Sequence, residues 1–196
     1  LVDNKRIDSY ERVFRWLHNR VLVKERTASA IKEAIRLGRT ASVFPVFGEL
    51  DGTKSPRGQA FFDMCKKAGF DATHSDQILT DLWMKFILLA TNASVMALAR
   101  QPIGKLRDDP DMRPQFIAAY NEVIAVGRAK GIKLPDNALD TMLAFNTNAP
   151  ATMKPSMALD LDRGNRIELP WLGGKVVEIG RQLGVPTPTH ALMYAA

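Results

Sequence analysis

Three side chains in this sequence join a reactive group to a local pattern that could aim it: Lys85, Ser156 and Glu168. Lys85 falls inside a long apolar helical period. On an ideal helix its azimuth lies within about 20° of Ile78 and Asn92, and Leu82 and Leu89 are its i−3 and i+4 neighbours. A lysine drawn out of water loses part of its preference for the charged form. Such a group can give a proton to a substrate oxygen. The plainer alternative is a lysine at the edge of the stripe, its stem on apolar surface and its head in water, or paired with Asp81 one turn back. Ser156 follows Pro155 and opens a short helical run, so it reads as an N-cap. The free N–H groups of a helix start suit a carboxylate or phosphate, although a cap can equally serve only its own helix. Glu168 precedes Pro170 and another helix start, where an anion is favoured. Ionised, it could accept hydrogen bonds from sugar or substrate hydroxyls, or it could stand in solvent beside Arg166. Asn92 shares the face of Lys85 and could bind a ligand or satisfy a neighbouring backbone group. Asp160 reads as a stabilising charge on the short helix, and Trp83 and Trp171 read as packing anchors.

The elements that must position these groups are mostly helices. Residues 8–37 read as two helical stretches, the first capped by Ser9 and the second stopped by Gly38. Residues 41–50 change to β-type residues, with Pro45 suggesting an edge or a bulge. Residues 51–57 form a loop and the expected domain boundary, which divides the chain into 1–52 and 53–196. Helices are then expected over 59–68, 76–98, 110–130, 136–145, 156–161 and 170–183, with Gly69, Gly131 and Gly184 as stop signals. Residues 146–155 read as a polar loop, 163–166 as a turn, and Pro186 and Pro188 as breaks before a last turn. The fold class is therefore mainly α, a helical domain with a remnant of an α/β domain at its N-terminal side.

Composition narrows the chemistry. Apolar residues make up 46% and charged residues 24% of 196 residues, the mixture of a globular protein. One cysteine, Cys65, excludes an intramolecular disulfide and any multi-cysteine metal site. It fits a reducing, cytoplasmic setting. His18, His74 and His190 stand far apart, which argues against a histidine metal site. The longest uninterrupted apolar run is far short of a membrane span, and the polar start does not read as a secretory signal. The chain starts without Met and stops inside an apolar stretch, which reads as a piece of a longer polypeptide. Of the net charge of +6, all but one unit falls in the first forty residues. Such a tract could meet phosphate or an acidic partner, or be a solvated helix face, and no nucleic-acid motif accompanies it. The glycine fingerprints for dinucleotides and nucleoside triphosphates are absent.

Taken in order, several short motifs resemble the ketopantoate reductase family (2-dehydropantoate 2-reductases). Phe47-Gly48-Glu49-Leu50-Asp51-Gly52 is similar to the end of that family's cofactor domain. Leu82-Trp83-Met84-Lys85 resembles its Trp-x-Lys motif, and Pro155-Ser156-Met157-Ala158-Leu159-Asp160 its Ser-Met-x-x-Asp motif. Arg166-Ile167-Glu168-Leu169 with Gly173, then Gly184-Val185-Pro186-Thr187-Pro188, resemble its closing blocks. The resemblance covers about residues 41–194.

The resemblance implies hydride transfer from NADPH to the ketone carbon of a 2-oxo acid. It makes Lys85 the catalytic acid, Ser156 the holder of the substrate carboxylate, and Glu168 the group near the nicotinamide ribose. Asn92 would be a further substrate contact. It also implies a Rossmann partner domain that residues 1–40 do not resemble as a whole, a helical domain that closes against it, and a homodimer as one assembly. Four and eight residues after the lysine, where the family often has asparagines, stand Leu89 and Ala93, so the exact 2-oxo acid stays open. The reading from another class is a non-catalytic helical module that dimerises through its apolar faces and docks a partner through the basic first forty residues.

Overall fold

The computed structural model describes residues 45–69 and 71–196. The helices expected over 8–37, the cap at Ser9, His18, and the first four residues of the expected strand lie outside them. The chain divides into two compact units, 1–81 and 82–196.

In the first unit, β1 (Val46–Phe47) pairs in parallel with β2 (Thr73–His74), with Val46 opposite Thr73 and Phe47 opposite His74. Parallel strands need a crossover, and α1 (Pro56–Lys67) supplies it. Ser55 caps α1 by accepting from the Gly58 N–H at 3.1 Å, and Pro56 takes the first helical position, where its missing donor costs nothing. Glu49 accepts from the Ser55 hydroxyl at 2.5 Å and from the Arg57 guanidinium. Those two bonds hold its carboxyl well below the usual carboxylate range. β2 was not expected from the sequence, because two residues are too few to show a period. The expected boundary at 52/53 falls between β1 and its partner strand β2.

The second unit is helical. It contains most of α2 (Ile78–Ala99), then α3 (Ile103–Leu106), α4 (Met112–Ala129), α5 (Ala138–Asn148), α6 (Ser156–Asp162), a 3₁₀ turn (Leu169–Trp171), α7 (Gly173–Leu183) and α8 (Pro188–Ala195). The expected helix from Pro170 begins instead as the 3₁₀ turn and turns α-helical at Gly173. The expected last turn is a full eight-residue helix. Gly184 ends α7 at φ +69°, a left-handed conformation that glycine adopts without a Cβ penalty.

α2 is the spine of this unit. Its best window has a mean hydropathy of 1.5, enough by length and composition to cross a membrane, and 61% of that window is buried inside the protein. Polar Thr91, Asn92 and Ser94 interrupt it, and all three are buried against neighbouring segments. From Ala90 to Ala97 every residue of α2 is buried, whereas the preceding turns bury one side only, through Trp83, Phe86 and Ile87. Trp83 is fully buried as the expected anchor, and its indole N–H points at the Val123 carbonyl at 3.4 Å. α4 passes this ring at Gly127, where a Cβ would collide with the indole. Gly127→Ala is therefore expected to cost about 1–3 kcal/mol by overpacking, despite the better helix propensity of alanine. A chemical denaturation series that finds the variant as stable as the parent would contradict this.

Arg107, just after α3, turns its guanidinium onto the end of α5. It donates to the carbonyls of Asn146 (3.0 Å), Thr147 (3.0 Å) and Ala149 (2.6 Å). These are acceptors that a helix end leaves without partners.

Candidate functional site

Lys85 stands in the second turn of α2. The start of that helix is tied down by Ser75, whose hydroxyl accepts from the Gln77 N–H at 3.0 Å and donates to the Asp81 carboxylate. Lys85 itself is exposed, with Leu82 and Leu89 half-buried on either side. Of the two readings, the one with the lysine at the edge of the apolar stripe is the one that forms. The buried side at this level is the Trp83–Phe86–Ile87 face, and Lys85 lies roughly opposite it at 100° per residue. The apolar period of the sequence is real, but only its later turns are covered.

Asn92 is 5% exposed and its amide is engaged at both ends. The Tyr120 hydroxyl donates to its Oδ1 at 2.5 Å, and its Nδ2 donates to Asn146 Oδ1 at 2.8 Å. Burial pushes the Tyr120 phenol up, which keeps it a donor. The amide offered as a substrate contact therefore serves to join α2, α4 and α5, a correction whose cause is the burial of α2 beyond Ala90.

Ser156 is the first residue of α6, not its cap. Pro155 takes the cap position with extended backbone, and its carbonyl receives the Ala158 and Leu159 N–H groups. The Ser156 side chain is exposed and has no hydrogen-bond partner among the described residues. The two residues after it, Met157 and Ala158, are 1% exposed and pack on Ala93 and Ala97 of α2. Asp160 closes the following turn, with Asn165 Nδ2 donating to its Oδ1 at 3.0 Å.

Glu168 precedes the 3₁₀ turn, and its carbonyl accepts from Trp171 and Leu172 at 2.9 and 3.1 Å. Its carboxyl oxygen Oε2 is buried and has no hydrogen-bond partner. Glu168 as a whole is half-buried. Arg166 lies over the Trp171 ring at 5.1 Å. Ile167, Leu169 and Leu172 carry this segment onto the same Ala93–Ala97 face of α2. A buried acceptor left without a donor is costly, and the residue type fits a hydroxyl brought in by a ligand.

The segments that carry Ser156 and Glu168 pack on the helix that carries Lys85, about two to three turns beyond it. Lys85 is on α2, and Ser156 and Glu168 flank two segments that lie along its next turns, with Ala93 about 12 Å beyond Lys85 along the axis. A separate cavity of about 600 Å³ sits on α7, lined by Trp171, Gly174, Lys175, Glu178, Arg181 and Tyr194 among others, and none of the four candidates lines it. Among the described residues no three metal-ligating side chains cluster.

Sequence reasoning missed one buried polar cluster. Glu122 of α4 accepts from the Thr189 N–H (2.6 Å), the His190 N–H (2.9 Å) and His190 Nδ1 (2.7 Å). A glutamate from one helix so caps the start of another. Glu122 and His190 are 68 residues apart, and nothing local in either stretch signals the pairing.

The family model for the ketopantoate reductase PanE/ApbA C terminal matches residues 77–196. The 2-dehydropantoate 2-reductase of Streptococcus pyogenes serotype M6 is 27% identical over 140 residues, which are 71% of this chain and 46% of that relative. The enzyme of the same name from Caulobacter vibrioides is 29% identical over 140 residues, covering 71% and 48%. The crystal structure of a PanE/ApbA family ketopantoate reductase from Ralstonia eutropha superposes with a TM-score of 0.69 at 29% identity, over 76% of this chain and 48% of that one. The chain spans about half the length of the relatives it matches.

Proposed function

Because the chain belongs to the family of ketopantoate reductase C-terminal domains, we propose that it supplies the substrate-binding helical domain of an NADPH-dependent reductase of 2-oxo acids, ketopantoate or a close analogue. The observation that carries this reading is Glu168, a carboxylate whose Oε2 is buried without a donor on a segment packed against the helix that bears Lys85. Structural carboxylates of that kind are normally satisfied from within the chain, as Glu122 is.

When bound, a reduced nicotinamide supplies the hydride that makes the new C–H bond at the ketone carbon. The chain's own residues do the rest. Lys85 holds its ammonium toward the carbonyl oxygen, draws electron density onto it, and gives it a proton as the C=O π pair moves to oxygen. The product is a 2-hydroxy acid, and the lysine is reprotonated from water. Ser156, with its hydroxyl uncommitted, donates to the substrate carboxylate. Glu168 Oε2 accepts from a hydroxyl, that of the nicotinamide ribose being the one the family resemblance implies. The sequence holds no glycine-rich phosphate turn, so the cofactor's phosphates are held by residues other than these.

The test is NADPH oxidation followed at its absorbance with ketopantoate, using the chain together with any residues its gene places before Leu1. Oxidation no faster than the buffer blank would remove the reading. Ser156→Ala is expected to raise KM for the oxo acid about tenfold or more, the loss of one hydrogen bond to a charged group. Glu168→Gln is expected to raise KM for NADPH while leaving the melting temperature close to that of the parent.

A further inference from the structure

The stretch between α5 and α6 leads straight into Ser156, and its carbonyls are bound from outside. Ala149, Pro150 and Ala151 carry no polar side chain of their own. Arg107 Nη1 donates to Ala149 O at 2.6 Å and to Asn146 O and Thr147 O at 3.0 Å each. The Gly104 N–H donates to Ala151 O and the Ile103 N–H to Met153 O, both at 3.0 Å. The approach is close, since a Cβ at Gly104 would stand 2.5 Å from that of Ala151. Lys154 Nζ then donates to Asp162 at 2.7 Å, which ties the residues entering α6 to the last residue of that helix. The clamp belongs to the spine of the unit, because α3 starts at Ile103, close after the end of α2 at Ala99. What else seats α6 is apolar: Met157 and Ala158 pack on Ala93 and Ala97. Apolar contact is non-directional. It keeps this short helix on α2 but leaves the direction in which Ser156 faces to the incoming chain.

We propose that Arg107 is a positioning residue for the 2-oxo acid, fixing the loop of residues 149–155 and through it the place of the Ser156 hydroxyl. The inference rests on the reductase reading above, in which Ser156 holds the substrate carboxylate. Arg107 itself does not touch the substrate. A hydrogen bond weakens steeply once its donor is displaced or turned, and a small shift set up away from the chemistry is enough to lose it. Without Arg107 the Ala149 carbonyl loses its short bond and the loop is held on one side only, by the two N–H groups of α3. The most that this displacement can remove through Ser156 is one hydrogen bond to a charged group, which bounds the effect at that of Ser156→Ala.

The experiment measures kcat and the KM values for ketopantoate and NADPH in the protein including any residues its gene places before Leu1, for the parent, Arg107→Ala, Ser156→Ala and the double variant. Arg107→Ala is expected to raise KM for ketopantoate about fivefold to tenfold, with kcat and KM for NADPH within about twofold of the parent. In the Ser156→Ala background the same change is expected to raise KM by less than about twofold, because the bond it serves is already gone. Arg107→Lys keeps a cation with three donors on a shorter stem and is expected to recover part of the affinity, leaving a rise of about threefold. If Arg107→Ala does not fold, Arg107→Lys takes its place in the same cycle. An unchanged KM for ketopantoate overturns the proposal, as does an equal rise in both backgrounds or a parallel rise in KM for NADPH, and each leaves the reductase reading standing. A KM that Ser156→Ala does not alter removes the serine and the positioning role with it. A parent protein that reduces no ketopantoate removes the reductase reading and this one together.

Discussion

Lys85→Ala is expected to lower kcat for 2-oxo-acid reduction by about 10²–10⁴-fold, the usual worth of a positioned general acid. The argument is chemical first. Hydride delivery to a ketone leaves negative charge on oxygen, and among the proposed side chains Lys85 alone is a cation that can also surrender a proton. It is also structural, because α2 holds the lysine at a fixed point. Trp83, Phe86 and Ile87 anchor the opposite face of the same turns, so the ammonium moves only by its own rotamers. Because Lys85 is exposed, its loss is expected to change folding stability by no more than about 0.5 kcal/mol. The activity deficit is then not a folding defect. Lys85→Arg separates two contributions. The guanidinium keeps the positive charge but does not release a proton near neutrality, so it should recover carbonyl polarisation and not proton transfer. Small primary amines added to the alanine variant should restore part of the rate. A kcat for Lys85→Ala within threefold of the parent would end the assignment of Lys85 as the acid.

How far these features could be read from the sequence depends on whether their cause is local. The helix of Lys85 was legible because twenty-two residues of apolar period leave little else for that segment to be. The stops at Gly131 and Gly184 were legible because a left-handed backbone favours glycine. For Lys85 the sequence left two readings open, since periodicity tells which face is apolar but not how far along the helix partners cover it. Ser156 misled in a similar way. Its type and place suggested a cap, yet Pro155 already held the extended backbone that precedes a helix. The Ser156 hydroxyl therefore does not cap its own helix. Asn92 was read from its azimuth alone, and its two partners come from positions 28 and 54 residues away. The pairing of β1 with β2 is set by α1 between them and by no signal in the two-residue strands themselves.

Glu122 leads to the largest expected effect on stability. Its carboxylate is 8% exposed and accepts from three donors belonging to the start of α8. Glu122→Ala would leave two backbone N–H groups and the His190 ring without their acceptor, at a buried site. Removing one partner from such a cluster costs about 3–5 kcal/mol. At 2–4 °C per kcal/mol for a chain of this size, the melting temperature should fall by roughly 6–20 °C. The consequence reaches the candidate site, because α8 packs on α7 through Tyr194, which approaches Gly174 to within 2.8 Å of where a Cβ would stand. α7 in turn follows directly from the turn that presents Glu168. A pH signature distinguishes the carboxylate's charge from its bulk. Burial pushes the Glu122 carboxyl up, but the His190 ring and the His190 and Thr189 N–H groups outweigh burial and hold it below its ordinary value of 4.5. A carboxyl depressed in the folded state contributes its stability in full above the unfolded value and loses it as pH falls through the folded one. The deficit of Glu122→Gln relative to the parent should therefore shrink as the pH falls below about 4.5. Glu49, Asp51 and Asp162, also depressed, are present in both proteins and cancel in the difference. Thermal melts of the pair across that range decide it: a deficit that stays level, or widens, as the solution is acidified would mean that Glu122 holds α8 by shape and not by charge.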